Sequence, residues 1–391
     1  MRRFITATFG LFSATAGVLL VKKDGENALR PVQIAVNELS WFAAVLGAIA
    51  VIWSLLGKPR LWFGLLTGAF GTALALKPFL EYQATLDDAA SAMRSGLGKN
   101  YEARIPAAVQ KKLLPAPLTL PNLFGRHLRQ SRARVWRNVT YAQPQGNALK
   151  LDVYEPMDKP TIGQSYPAII VIHGGGWQNG DKQEYFEPNN RYLASLGYVV
   201  FDIQYRLSTA AKWPAQLEDT QSAIQWVRDC ADEYHVDPQR IALLGRSAGA
   251  HMALMAAFRA DAATQVQAVV AFYGPTDLKF PGLTPDWSIY TLMGGSFEDL
   301  PEAYKSASPV DWVRDDLPPL LIIEAKMDTI VPSHHGEKIT KRLALTNTPY
   351  VHIRLPWARH GFDAVTFGLG AQLTQYHMDR FLACAFFTEY R

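Results

Sequence analysis

The feature that most constrains the fold is the alternation of β-branched runs with helical stretches after residue 134. Two paired strands followed by repeated strand–helix units predict a mostly parallel, doubly wound α/β sheet with helices on both faces. Binding sites of such sheets lie at the carboxyl ends of the strands. Strands are predicted over 134–142, 147–155, 167–172, 198–204, 240–245, 267–273, 319–325 and 350–355, and helices over 183–196, 215–234, 248–260, 333–346 and 370–388.

A Gly-x-Ser-x-Gly pattern follows the fifth predicted strand. Arg240 and the apolar residues 241–244 run directly into Gly245-Arg-Ser-Ala-Gly249, and a helical pattern begins at Ala250. A strand–turn–helix passage of this kind strains the central residue and exposes its side chain at the amino end of the helix, while the flanking glycines avoid clashes with neighbouring backbone. Ser247 is therefore predicted to be a nucleophile.

A run of glycines follows the third predicted strand. It reads His173-Gly-Gly-Gly-Trp177 and leaves the backbone free to turn its amides into a cavity. Acyl transfer needs two or three N–H donors that converge on the oxygen where negative charge develops. We expect the amides of Gly175, Gly176 and Ala248 to form this oxyanion hole, with His173 and Trp177 as supporting residues.

The base and the acid are predicted from chain order. His360 follows the last strand in a loop that contains glycine, where an imidazole can reach the nucleophile. Asp328 follows the strand 319–325, after Ser247 and before His360, which is the order nucleophile, acid, histidine. Its carboxylate would hold the imidazole tautomer and stabilise the imidazolium.

These motifs together resemble a known family. The chain looks like an α/β-hydrolase carboxylesterase or lipase, closest to the branch with hormone-sensitive-lipase-like and feruloyl-esterase-like enzymes. The resemblance covers about residues 135–391. It rests on several segments in the right order: HGGGW at 173–177, QYRL at 204–207, WPAQLED at 213–219, VDPQRI at 236–241, GRSAGAH at 245–251, MDTIVP at 327–332 and HGF at 360–362.

The resemblance implies a hydrolase that needs no cofactor and no metal, with Ser247, Asp328 and His360 as its triad. Gln204 stands where the family usually has Asp, and Arg246 stands where it has a small or acidic residue. A thinner resemblance to membrane-bound prenylcysteine methylesterases offers another substrate. An acyltransferase, a peptidase and a silent binding module are further alternatives on the same residues.

Three uncharged apolar segments precede the α/β pattern, at residues 4–21, 40–56 and 61–76. The second and third are joined by a short basic turn and carry tryptophans at their ends, as a transmembrane hairpin does. A buried helical hairpin is the alternative. The first segment fits a retained spanning helix, a removed signal sequence or a buried helix. The count of basic residues leans slightly towards a cytoplasmic catalytic domain, whereas a signal-like start with a basic amino end leans the other way, so the side stays undecided.

We therefore expect a multi-pass membrane protein with three regions. Residues 1–80 form an anchor of two to three helices, 81–134 form a basic linker punctuated by prolines, and 135–391 form the catalytic domain with a cap-like insertion at 276–318. The last region carries 22 Lys and Arg against 28 Asp and Glu, which disfavours nucleic acid as a partner. The expected partners are membrane lipids and a small-molecule or lipid ester, cleaved through an acyl-enzyme on Ser247.

Overall fold

A computed structural model describes residues 1–22, 29–56, 58–158, 160, 164–279 and 286–387. Among the described residues, eight α-helices precede the sheet, and all lie within the first 130 residues. They are α1 (Arg2–Val21), α2 (Arg30–Glu38), α3 (Ser40–Leu55), α4 (Trp62–Ala75), α5 (Lys77–Leu97), α6 (Tyr101–Arg104), α7 (Ala107–Gln110) and α8 (Arg126–Gln130).

One eight-stranded sheet forms the centre of the fold, in the order β1-β2-β4-β3-β5-β6-β7-β8. Only β2 runs against its neighbours β1 and β4, and the remaining pairs are parallel. The strands are β1 (Arg134–Ala142), β2 (Leu149–Glu155), β3 (Tyr166–Ile172), β4 (Val199–Ile203), β5 (Val236–Arg246), β6 (Ala268–Phe272), β7 (Leu320–Ala325) and β8 (Tyr350–Leu355). All eight predicted strands are confirmed.

Helices cover both faces of this sheet, as the periodicity predicts. One apolar core lies under the helices Ala215–Asp229, Ala248–Phe258 and His334–Leu343. The other lies under α5 and the helices Glu187–Leu196 and Leu369–Phe387. The helices after β3 are α9 (Glu187–Leu196), α10 (Ala215–Asp229), α11 (Ala248–Phe258), α12 (Asp286–Met293), α13 (Pro301–Ser306), α14 (His334–Leu343) and α15 (Leu369–Phe387). The region predicted as a cap contains α12 and α13, and its residues 280–285 lie outside the described part.

The predicted linker at 81–134 is wrong, because α5 is a long helix packed on the edge of the sheet. Met93 is fully buried, and Tyr82 stacks on Trp357 with ring centroids 5.9 Å apart. A Cβ on Gly96 would lie 2.1 Å from the carbonyl oxygen of Tyr350, so the helix approaches the β8 backbone closely. Apolar residues spaced by three or four positions give α5 a buried face despite its charged residues.

Helices α1, α3 and α4 pack against one another through small residues. A Cβ on Gly10 would collide with the side chain of Thr67, and one on Gly71 with the backbone of Ser13. By length and composition, Arg2–Val21 and Trp62–Leu97 are long and apolar enough to cross a membrane, and α2 with α3 would add a third span if this pair, bent by 74°, is counted as one.

Candidate active site

Ser247 lies at the sharp turn between β5 and α11. Its φ is 55° and its ψ is −121°, a conformation that L residues rarely adopt. Its N–H donates to the carbonyl of Phe272 at 2.9 Å, which holds the turn against β6. A Cβ on Gly245 would lie 2.1 Å from the oxygen of Gly249, and one on Gly249 would lie 2.1 Å from the oxygen of Ile172. Both glycines are therefore required by the close approach of backbone.

The three residues predicted as a triad are brought together. Nε2 of His360 lies 2.9 Å from Oγ of Ser247, and Nδ1 of His360 lies 2.6 Å from Oδ2 of Asp328. These are the distances of hydrogen bonds. Such a chain lets the imidazole accept the hydroxyl proton while its other ring nitrogen donates to the carboxylate.

The carboxylate of Asp328 is held from its other side. The backbone N–H groups of Ile330 and Val331 donate to Oδ1 at 2.8 and 2.9 Å. The Asp328 side chain is fully buried. The ring centroids of Tyr273 and His360 lie 4.6 Å apart. The acid and the base therefore have their orientations set by surrounding protein groups.

The glycine-rich loop lies beside Ser247. Gly175 has φ 109° and Gly176 has φ 59°, both in the region that favours glycine. A Cβ on Gly175 would lie 2.0 Å from the carbonyl oxygen of Asn179. Gly175, Gly176 and Ala248 line the same cavity as Ser247 and His360. The residues expected to supply the oxyanion donors thus face the space in front of the nucleophile.

His173 supports the loop and does not reach the triad. Its ring stacks on Tyr205 with centroids 4.3 Å apart, and Nδ1 donates to the carbonyl of Gly174 at 2.7 Å. Burial lowers the pKa of His173, which favours the neutral ring. This placement agrees with a supporting role and leaves His360 as the histidine next to the serine.

Trp177 connects the loop to the helix that follows the nucleophile. Its Nε1–H donates to Nδ1 of His251 at 3.2 Å. His251 is fully buried and donates through Nε2 to the carbonyl of Ala307 at 2.7 Å, and burial lowers its pKa to about 4. A neutral His251 that accepts from Trp177 and donates to Ala307 fits this arrangement.

The cavity in front of Ser247 has a volume of about 740 Å³. Its walls come from the glycine-rich loop, the loops after β6 and β7, and α12 of the predicted cap region. A space of this size accommodates a molecule as large as a drug or a lipid chain segment. Trp287 and Ile289 supply apolar surface from α12.

Similar proteins are known. Residues 151–343 match the BD-FAE family model. In Mycobacterium tuberculosis, the probable carboxylic ester hydrolase LipM is 28% identical over 77% of this chain and 73% of its own length. The esterase LipQ of the same organism is 31% identical over 63% of this chain and 61% of its own length. This chain therefore spans between 61% and 73% of these two relatives.

Two solved esterase structures are also similar to this chain. Native esterase Est2 of Thermogutta terrifontis is 29% identical, with a TM-score of 0.51 over 59% of this chain and 84% of its own. The apo form of esterase 2 from the same species is 26% identical, with a TM-score of 0.52 over 68% and 94% of the two chains. The sheet region of this chain is a carboxylic ester hydrolase. It has the α/β-hydrolase fold.

Two features of the hydrolase were missed from its sequence. Arg246 is a buried partner of Asp363, with Nε 2.6 Å from Oδ2, and the hydroxyl of Tyr273 donates to the same carboxylate. The pair joins the nucleophile turn to the loop of His360. Arg30 and Ile34 of α2 also line the cavity. Polar residues inside the apolar amino-terminal region, such as Asn37 and Glu38, were the signal that α2 contacts the hydrolase.

Proposed function

We propose that the whole protein is a membrane-anchored serine esterase that forms an acyl-enzyme on Ser247. The observation that carries the proposal is the continuous chain from Oγ of Ser247 through His360 to Asp328, beside a cavity lined by Gly175 and Gly176. Carboxylic ester hydrolases named among the relatives support the reaction class.

In the proposed first step, His360 accepts the hydroxyl proton of Ser247 while Oγ attacks the ester carbonyl carbon. The backbone N–H groups of Gly175, Gly176 and Ala248 stabilise the oxyanion. The C–O bond to the alcohol then breaks, and the imidazolium returns its proton to the leaving alkoxide. Water enters, gives a proton to His360 and releases the acid from Ser247 by the reverse sequence.

The membrane part of the proposal rests on how α1, α3 and α4 are packed. Their contacts with one another use small and hydroxylated residues, as helix contacts in lipid do. The faces turned outward carry large apolar side chains, an arrangement costly in water and favourable in a bilayer. The buried residues include Thr6, Gly10, Ser13, Gly17, Gly47, Gly64, Gly68 and Gly71, and the exposed ones include Phe4, Leu11, Phe12, Val45, Ile52, Leu66 and Phe70.

The esterase is tested by hydrolysis of p-nitrophenyl esters, from acetate to palmitate, with the full chain in detergent. We expect Ser247→Ala to lower kcat by about 10⁴-fold or more. Ser222→Ala is the matched control, because Ser222 is exposed on α10, is absent from the residues lining the cavity, and donates to the carbonyl of Glu218 within its own helix. Mass spectrometry after an acid quench should find the acetyl group on the peptide that contains Ser247. An alanine variant as active as the control would overturn the proposal.

The anchor is tested by separating membranes from cytosol and washing them at alkaline pH. We expect the full chain to stay with the lipid. Leu66→Glu should release much of it, because Leu66 is 65% exposed on α4. Leu345→Glu is the control, since Leu345 is 82% exposed outside the apolar helices. A full chain that remains soluble and monomeric without detergent would contradict the anchor.

A further inference from the structure

Helix α2 presents its polar residues to the hydrolase. Asn37 donates through Nδ2 to the carbonyl of Trp357 at 2.8 Å. Glu38 accepts from the N–H of Gly370 at 2.7 Å, at the amino end of α15. Both side chains are buried. These contacts hold α2 in a defined position on the hydrolase.

The same helix forms part of the active-site wall. Arg30, Pro31 and Ile34 line the cavity that contains Ser247 and His360. Cδ1 of Ile34 lies 4.0 Å from the point that a Cβ on Gly361 would occupy, directly beside the proposed base. A segment from the amino-terminal helices thus reaches the reacting groups.

The position of α2 places this wall beside the proposed membrane surface. It follows α1 and precedes α3, to which it is bent by 74°. Because α2 connects two helices that are proposed to span the bilayer, we place it at the bilayer surface. Its outward residues are apolar, with Val32 47% exposed and Pro31 also exposed. An apolar helix surface therefore lies both at the interface and in the cavity wall.

We propose that α2 determines substrate class: its apolar face guides a long-chain acyl ester of a membrane lipid from the bilayer interface into the cavity. The inference rests on the proposed esterase. The acyl chain packs against Ile34 and Pro31 of α2 and against Trp287, Ile289 and Val331 of the hydrolase, which all line the cavity. Ile34 is therefore a specificity-determining residue. Its contact area with the acyl chain of the substrate grows with the length of that acyl chain.

The chain-length test uses the full protein in detergent, with p-nitrophenyl acetate and palmitate. Ile34→Trp fills the cavity, so we expect the ratio of kcat/KM for palmitate to that for acetate to fall about tenfold or more, as a loss of about 1.4 kcal/mol of chain binding requires. Leu345→Trp is the control, because Leu345 is 82% exposed, lies outside α2 and is absent from the residues lining the cavity. Its ratio should stay within about twofold of wild type.

A second variant guards against a folding defect. Ile34→Gln keeps a side chain of similar size but places an amide against the acyl chain, so the ratio of kcat/KM for palmitate to that for acetate should again fall. A ratio that neither Ile34 variant changes, with acetate turnover intact, would overturn this inference alone. A wild-type protein that hydrolyses no ester would instead overturn the proposed esterase.

Entry from the bilayer is tested with proteoliposomes that contain a long-chain diacylglycerol. Its bulk concentration is held constant while phosphatidylcholine is added, so that only its surface concentration falls. We expect the rate of fatty acid release to fall with surface concentration and to be lowered further by Ile34→Trp but not by Leu345→Trp. A rate that follows bulk concentration alone would overturn entry along α2.

Discussion

Nε2 of His360 lies 2.9 Å from Oγ of Ser247, although 113 residues separate them in the chain. The contact exists because β5 and β8 belong to one sheet, and the turn after β5 and the loop after β8 emerge at the same edge. Asp328 follows β7 and lies at that edge too. Proton transfer between residues so distant in sequence therefore depends on the register of three parallel strand pairs, β5–β6, β6–β7 and β7–β8.

Asp328→Asn should lower kcat by about 10² to 10⁴-fold, because the amide can donate to Nδ1 of His360 and favour the wrong tautomer. Glu324→Gln is a matched control four residues earlier in the chain, on β7, with its carboxylate bonded to Gly336 and His352 instead of His360. We expect Glu324→Gln to keep kcat near wild type and to lower the melting temperature. Steady-state kinetics of both variants tests the assignment of Asp328 as the acid of the triad. A larger loss of kcat in Glu324→Gln than in Asp328→Asn would contradict it.

Breaking the buried pair of Arg246 and Asp363 should destabilise the fold by about 3 to 5 kcal/mol, since the partner left behind is a buried charge. Their side chains are only 5% and 4% exposed. Thermal unfolding of Arg246→Met in detergent measures this loss. Lys326→Met is the control, because Lys326 and Glu337 pair at the surface with 37% and 39% exposure, and its cost should stay below about 1 kcal/mol.

The double variant of the buried pair provides a further check. Arg246→Met with Asp363→Asn removes both charges, so we expect part of the stability lost in Arg246→Met to return. Effects that simply add would contradict a direct interaction between the two side chains.

Lowering the pH should destabilise the protein partly through His251. Burial lowers its pKa to about 4 in the folded protein, whereas an unfolded histidine titrates near about 6.5. Below about pH 6.5 the unfolded state binds the additional proton, so stability falls as the pH falls and the loss is complete below the folded pKa. From pH 7 to pH 5 this residue should cost about 2 kcal/mol.

This dependence is measured by comparing wild type with His251→Gln in thermal unfolding at pH 5 and pH 7. The variant lacks the titrating ring, so its melting temperature should fall less between the two pH values. Equal falls in the two proteins would contradict the burial argument, because the other titrating groups are common to both.

Removing α5 should expose the core it covers. Deletion of residues 1–134 leaves the face formed by Trp357 and β8 without Tyr82, Met93 and Leu97, which are all buried there. Each such side chain contributes about 1.5 to 3 kcal/mol on burial. Deletion of residues 1–76 keeps the helix and serves as the control. Light scattering should find the chain of residues 135–391 aggregated and the chain of residues 77–391 less aggregated. A monodisperse chain of residues 135–391 would contradict the proposed role of α5 in covering this core.

Most of the fold was predictable because period-two and helical patterns are local properties of the chain. The strand β8 was predicted over 350–355 and observed over the same residues, and β5 extends from Val236 rather than 240. Helix α5 was missed because its charges and the prolines that follow it outweighed an apolar face that recurs every three or four residues. Contact with β8 and α15 makes that face buried.

The sequence by itself determined the individual strands and helices and the candidate nucleophile, because the constraints on Gly245 and Ser247 arise from backbone within a few residues of them. The tertiary structure alone decided that Arg246 pairs with Asp363 and that Ile34 of α2 lies beside Gly361. These contacts join segments more than a hundred residues apart. Side-chain pairing over such separations depends on packing of the whole chain, which no local pattern encodes.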